Sequence, residues 1–159
     1  MPLLVRGGLR ITVDGQRINT YEGETDREWL FDWYPEFVGE IPLITLRELC
    51  QTVASILSDE IQLYEPQRIH LPETSDAFVC ERIGDEHLRV AFQTPGREAN
   101  QATPASACGV AVRADEFGTE LRRCGDDFEA SLDRFGFNGA DVESFRNSLE
   151  EFRVTLGSQ

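Results

Sequence analysis

Leu9, Ile11 and Val13 alternate with polar residues, Asp14-Gly15 interrupts the alternation, and residues 16–20 resume it. Period-two patterning on both sides of an Asp-Gly pair predicts a β-hairpin with a type I′ turn. Residues 22–28 are acidic and polar and read as a loop. The next ten, Trp29-Leu30-Phe31-Asp32-Trp33-Tyr34-Pro35-Glu36-Phe37-Val38, are the densest aromatic stretch of the chain. They predict a strand that breaks into an irregular turn at Pro35.

The period then changes. Leu46, Leu49, Cys50, Val53, Ile56 and Leu57 recur at helical spacing behind Thr45-Leu46-Arg47-Glu48, which has the form of a capping box. A helix is expected over 46–58, with Thr45 as its cap. Tyr64-Glu65-Pro66 precedes a short strand, Arg68 to Leu71. A second hairpin is expected at 76–93, with strands Ala77 to Ile83 and His87 to Gln93 around Gly84-Asp85. Residues 94–107 carry turn and breaker residues without a period and predict a long, mobile surface loop. Cys108 to Arg113 reads as one more strand.

The last third is helical. Phe117, Leu121, Cys124, Phe128, Leu132 and Phe135 step by three and four behind Asp115, a candidate cap. One long helix fits, as does a pair broken at Gly125 with Asp126 or Asp127 as a second cap. Gly136-Phe137-Asn138-Gly139 is a turn, and Asp141 is placed to cap a final helix with the stripe Val142, Phe145, Leu149, Phe152 and Leu156. There is no internal repeat. Hairpin signals outnumber βαβ signals, so the expected class is α+β: a mostly antiparallel sheet, one central helix, and two or three C-terminal helices packed on one face. Residues 1–159 are expected to form a single α+β domain.

Charge narrows the functional classes. The chain has no lysine, 15 arginines and 29 carboxylates, for a formal net charge of −14. Direct binding to nucleic acid or to anionic lipid needs a basic footprint, and neither is expected. A GC-rich genome and adaptation to salt are one source of such a balance. Attraction toward a basic partner is the other, and the two are compatible. Cys50, Cys80, Cys108 and Cys124 include no C-x-x-C pair and sit in apolar patterns, so buried, unbridged thiols are expected. With no apolar signal region and no run of about 18 apolar residues, the expected compartment is the cytoplasm, where thiols stay reduced.

Candidate chemistry is sparse. The two histidines, His70 and His87, could pair with Cys80 or Cys108 as a thiolate nucleophile, but Cys80 shares a strand face with Phe78 and reads as a buried structural residue. Cys80-x6-His87 and His70-x9-Cys80 are not zinc spacings. Asp126-Asp127 and Glu150-Glu151 are adjacent in helices and read as solvated surface. No P-loop is present, and no lysine is available for a Schiff base. No catalytic residue, metal ligand or cofactor is therefore expected. The aromatic run has two readings. It is core, or it is a partner-facing anchor in which Asp32, Trp33, Tyr34 and Glu36 contact another protein.

The leading Asp-Gly hairpin, Arg27-Glu28-Trp29-Leu30, the helix opening Thr45-Leu46-Arg47-Glu48-Leu49, Tyr64-Glu65-Pro66 with its strand, and the helix from Phe117 to Phe135 resemble in order the small bacterial immunity proteins of polymorphic toxin systems, of the WapI type. The resemblance covers about the first 135 residues as a layout, after which the chain adds a turn and a helix over 137–156. It implies a cytoplasmic, non-enzymatic inhibitor that plugs a cognate toxin, and it carries over no catalytic residue. The expected function is thus a protein-binding inhibitor whose acidic and aromatic surface meets a basic protein partner. A small cysteine- or carboxylate-dependent enzyme is the alternative from another class. An acidic subunit of a larger assembly, or an inhibitor that mimics nucleic acid, is a third.

Overall fold

Asp14 (φ 50°) and Gly15 (φ 78°) both adopt left-handed backbone conformations, the pair of angles that a type I′ turn requires. They join β2 (Thr12–Val13) to β3 (Gln16–Arg17), with Thr12 opposite Arg17. The structure is a computed structural model and describes residues 7–18, 38–72, 75–95 and 101–158. On its first strand the hairpin is shorter than the alternation suggests. Leu9 belongs instead to β1 (Gly7–Leu9), which pairs antiparallel with β4 (Val38–Glu40).

The first helix, α1, spans Pro42–Leu57. It starts one turn before the expected cap because Pro42 occupies the first turn, where a missing N–H costs nothing and φ is already set. The capping box is therefore not formed. Thr45 lies inside the helix, fully buried, and its hydroxyl has no hydrogen-bond partner among the described residues. Leu43, Leu46, Leu49, Cys50, Val53 and Ile56 are all buried.

A four-stranded antiparallel sheet follows, ordered β5 (Gln67–His70), β6 (Ala77–Arg82), β7 (His87–Gln93), β8 (Val110–Arg113). Its register places Ile69, Phe78 and Phe92 in one row, and Cys80 beside Val90. This face meets α1, and the Phe78 and Phe92 rings lie 5.3 Å apart within the core. The opposite face carries Arg68, Val79, Ala91 and Arg89. Val79 and Ala91 are nevertheless buried, because a short helix, α2 (Pro104–Cys108), packs on β7. Residues 101–108 thus do not form the expected open loop. Thr103 caps α2 by accepting from the Ser106 N–H, and Gly109 (φ 77°) turns the chain into β8. A Cβ at Gly109 would lie 2.4 Å from the Val90 carbonyl oxygen, so only glycine fits this crossing.

The third helix, α3 (Ala114–Arg134), is continuous. Asp115 does not cap it. Its carboxylate sits in the first turn and accepts from both Nε and Nη2 of Arg113. Gly118 and Gly125 do not break the helix either. Both are buried where α3 meets Leu156 and Leu149 of the last helix. The helix ends in a Schellman motif: Phe137 N–H donates to Leu132 O, Gly136 N–H donates to Asp133 O, and Gly136 has φ 71°. Phe135 falls outside the buried stripe as a result and is 69% exposed, with the Arg134 guanidinium over its ring.

The fourth helix, α4 (Ala140–Gly157), is preceded by Gly139 rather than capped by Asp141. Val142, Phe145, Leu149 and Phe152 are buried, and α4 packs on α1 more extensively than any other pair of elements meets. Gln51 Nε2 donates to Ser148 Oγ across that contact at 2.9 Å. The fold is α+β, with α1 between the sheet and α4.

Candidate interaction groove

The partner-binding candidates Asp32, Trp33, Tyr34 and Glu36 lie outside the described residues. The other candidates are placed. Cys80 is completely buried on the α1 side of the sheet, and burial pushes its thiol up to about 12. His70 and His87 are exposed on the opposite face, so neither meets Cys80. Cys50 is also buried, and burial raises it to about 12. Cys124 is half-buried and is raised chiefly by burial, then by the Asp127 carboxylate. Cys108 is exposed, contrary to the expectation for all four thiols, because it ends α2 instead of starting a strand. Among the described residues no cluster of three His, Cys, Asp or Glu side chains is arranged to hold a metal ion.

The adjacent carboxylates are not simply solvated. Arg153 on α4 donates to Asp126 (2.7 Å) and Glu129 (2.7 Å) on α3 and to Glu150 (3.1 Å) on its own helix. These partners, the Glu129 hydrogen bond first, hold the guanidinium further into its charged form. Arg146 bridges Glu129 and Asp133 in the same way. On the outer sheet face Arg89 pairs with Glu81 at 2.6 Å and donates to Cys108 O. Arg82 pairs with Asp59 at 2.6 Å in a polar notch of about 240 Å³ that His87 also lines. These arginines hold the fold together with an acid already in hand. That use leaves the remaining exposed carboxylates to set the outward field.

A groove of about 620 Å³ lies between the first hairpin and α3. Each wall follows from a sequence period. On one side Leu9, Ile11 and Val13 present alternate positions of an extended segment. On the other, Phe117, Leu121 and Cys124 are one helical ridge, and Glu116, Glu120, Arg123 and Asp127 are the ridge beside it. Leu49 from α1 and Val112 from β8 close the floor. Leu9, Leu49 and Leu121 are buried at the bottom, whereas Ile11, Val13, Phe117 and Cys124 are only half-buried.

The rim is acidic. Glu116 lines it and shares Arg113, which lies beyond the groove, with Glu86 and Asp115. Arg123 pairs with Glu120 at 2.7 Å, and Asp127 is one turn further on. Asp14 and Arg10 both line the opposite wall. The sequence carries the signal for this groove. The acids of 116–127 sit one position before the apolar residues of the stripe, so a charged ridge must run alongside an apolar one. Helical spacing alone does not show that Phe117 and Cys124 stop half-buried, and no groove is expected from it. No helix among the described residues is long and apolar enough to cross a membrane. No protein-family model, no curated protein and no solved structure matches the chain.

Proposed function

We propose that the chain is a cytoplasmic, non-enzymatic inhibitor of the immunity type, which binds and neutralises a basic toxin or effector protein. The observation that carries this reading is the disposition of charge. A net charge of −14 is combined with Arg82, Arg89, Arg146 and Arg153 held in ion pairs, so carboxylates dominate the surface offered to a partner. Such a surface raises association rates with a basic partner and repels nucleic acid. An apolar groove with an acidic rim adds a place where apolar contact and charge act together. The aromatic residues Trp33 and Tyr34, flanked by Asp32 and Glu36, supply a second candidate contact of the same chemistry.

The test is capture of a basic protein at low salt, followed by stopped-flow association and an assay of the captured protein's activity. The inhibitor reading requires a stoichiometric complex, loss of the partner's activity on binding, and an association rate that falls steeply as salt rises. A rate indifferent to salt removes the electrostatic argument. Trp33→Ala is expected to weaken the complex and leave the unfolding midpoint in place.

A further inference from the structure

We propose that the groove between the first hairpin and α3 is the docking site for an amphipathic, basic helix of the partner protein. This rests on the inhibitor reading above and gives it a location. The apolar floor would receive leucine-like side chains between Ile11 on one wall and Phe117 and Cys124 on the other. The ridge above would pair with arginine or lysine.

Geometry favours a helix as the occupant. The groove follows α3 from Glu116 to Asp127, which is about 16 Å of helix at 1.5 Å per residue. Its acids fall at helical intervals, with Glu120 about 6 Å and Asp127 about 16 Å along the axis from Glu116. A second helix laid alongside presents cations at i, i+4 and i+11 with the same spacing, and its apolar stripe one ridge over. Charge sets the sign of that helix. Of the charged α3 side chains that line the groove, Glu116, Glu120 and Asp127 are acidic and Arg123 is basic, so this wall keeps a negative excess. Asp14 and Arg10 both line the facing wall, which leaves that excess in place. An acidic segment would be repelled, and an uncharged one would leave these carboxylates partly desolvated without a counter-charge.

The protein contains its own reporter pair. Cys124 lines the groove, whereas Cys108 is exposed on the far side of the sheet. The probe is a synthetic, dye-labelled peptide of about 14 residues with leucines on one helical face and arginines on the other. Its control has the same composition with the leucines scattered. Peptide affinity is read by anisotropy, and its position by the alkylation rates of Cys124 and Cys108 in the same tube.

At about four times its dissociation constant the amphipathic peptide is expected to slow Cys124 roughly fivefold and leave Cys108 unchanged. The triple variant E116Q/E120Q/D127N is expected to lose most of the anisotropy signal, while E60Q/E143Q/E151Q, which removes three exposed acids elsewhere, keeps it. Equal binding by the scattered peptide, equal loss in the two triple variants, or no binding at millimolar peptide overturns the proposal. So does a small apolar molecule carried by the purified protein and seen as an added mass. A captured partner that binds the first triple variant as well as the unmodified chain would sink the groove and leave the inhibitor reading intact. A peptide that binds as described, with a captured protein whose activity is untouched, would do the reverse.

Discussion

A Cβ atom placed on Gly125 would lie 2.6 Å from Cδ1 of Leu149, so the contact between α3 and α4 exists because residue 125 has no side chain. Leu149 is fully buried and has little room to turn away. Gly125→Ala gains about 1 kcal/mol of helix propensity. Against that stands overpacking of about 1–3 kcal/mol in a closed core. The expected result is a net loss of about 1 kcal/mol, read as a lower urea midpoint at an unchanged slope. A more stable variant would mean that α4 can slide on α3.

Two left-handed glycines separate backbone strain from packing. Gly136 has φ 71° and open space around it, so Gly136→Ala is expected to cost only the conformational penalty, about 1 kcal/mol. Gly109 has φ 77°, and its added Cβ would strike the Val90 carbonyl and Ala91. Gly109→Ala is expected to cost about 3 kcal/mol or more, because the neighbour is a strand backbone that cannot yield without releasing α2. Equal losses in the two variants would show that α2 is only loosely seated on the sheet.

Removing the Arg153 guanidinium leaves Asp126, Glu129 and Glu150 facing one another across the α3–α4 seam. Arg153→Ala is expected to destabilise by about 1–2 kcal/mol at low salt, discounted for its partial exposure. Arg153→Lys should recover less than half, since one ammonium cannot reproduce the three-way fork. Molar salt should shrink the alanine effect by screening both the lost attraction and the remaining repulsion. An effect independent of salt would assign the arginine's role to its aliphatic stem.

Alkaline pH should unfold this protein through its core. Burial holds Cys50 and Cys80 at about 12, against an ordinary thiol value of 9.0. The unfolded chain therefore releases these protons near pH 9 while the folded chain keeps them. The stabilisation is complete below that value and is lost as pH rises toward 12. Urea midpoints measured between about pH 8 and pH 10.5 should fall, and the fall should be shallower in C50A/C80A, whatever the starting stability of that variant. Native alkylation near neutral pH should label Cys108 first, Cys124 slowly, and Cys50 and Cys80 only on unfolding.

Periodicity made most of the fold legible. The hairpin across Gly84-Asp85, the strand after Pro66, the long C-terminal helices and the Asp14-Gly15 turn all follow from patterns within ten residues or so, and so does the α+β class. The errors lie where a distant partner decides. Thr45 looks like a cap until Pro42 starts the helix earlier. Residues 101–108 look structureless because the apolar surface they cover, Val79 and Ala91, belongs to strands read as one-sided. Phe135 continues a stripe in sequence but falls past a helix end fixed by Gly136. The groove was hidden for a related reason: Phe117 and Cys124 fit a core pattern, and only the packed hairpin shows that they stop half-buried. The Asp32 to Glu36 segment lies outside the described residues.

The position of α1 has a consequence for how the chain assembles as it is made. Its inner side is completed by strands that follow within a few tens of residues, but its outer side waits for α4, and the Gln51–Ser148 hydrogen bond joins residues 97 apart. Until that helix leaves the ribosome, α1 shows apolar surface to solvent or to a chaperone. Closure of this side of the core is thereby deferred until α4 has been made, and non-local closure of this kind slows the step. A nascent chain stalled before residue 140 would be a substrate for holdases and proteases. Docking of α4 on α1 removes that exposed surface.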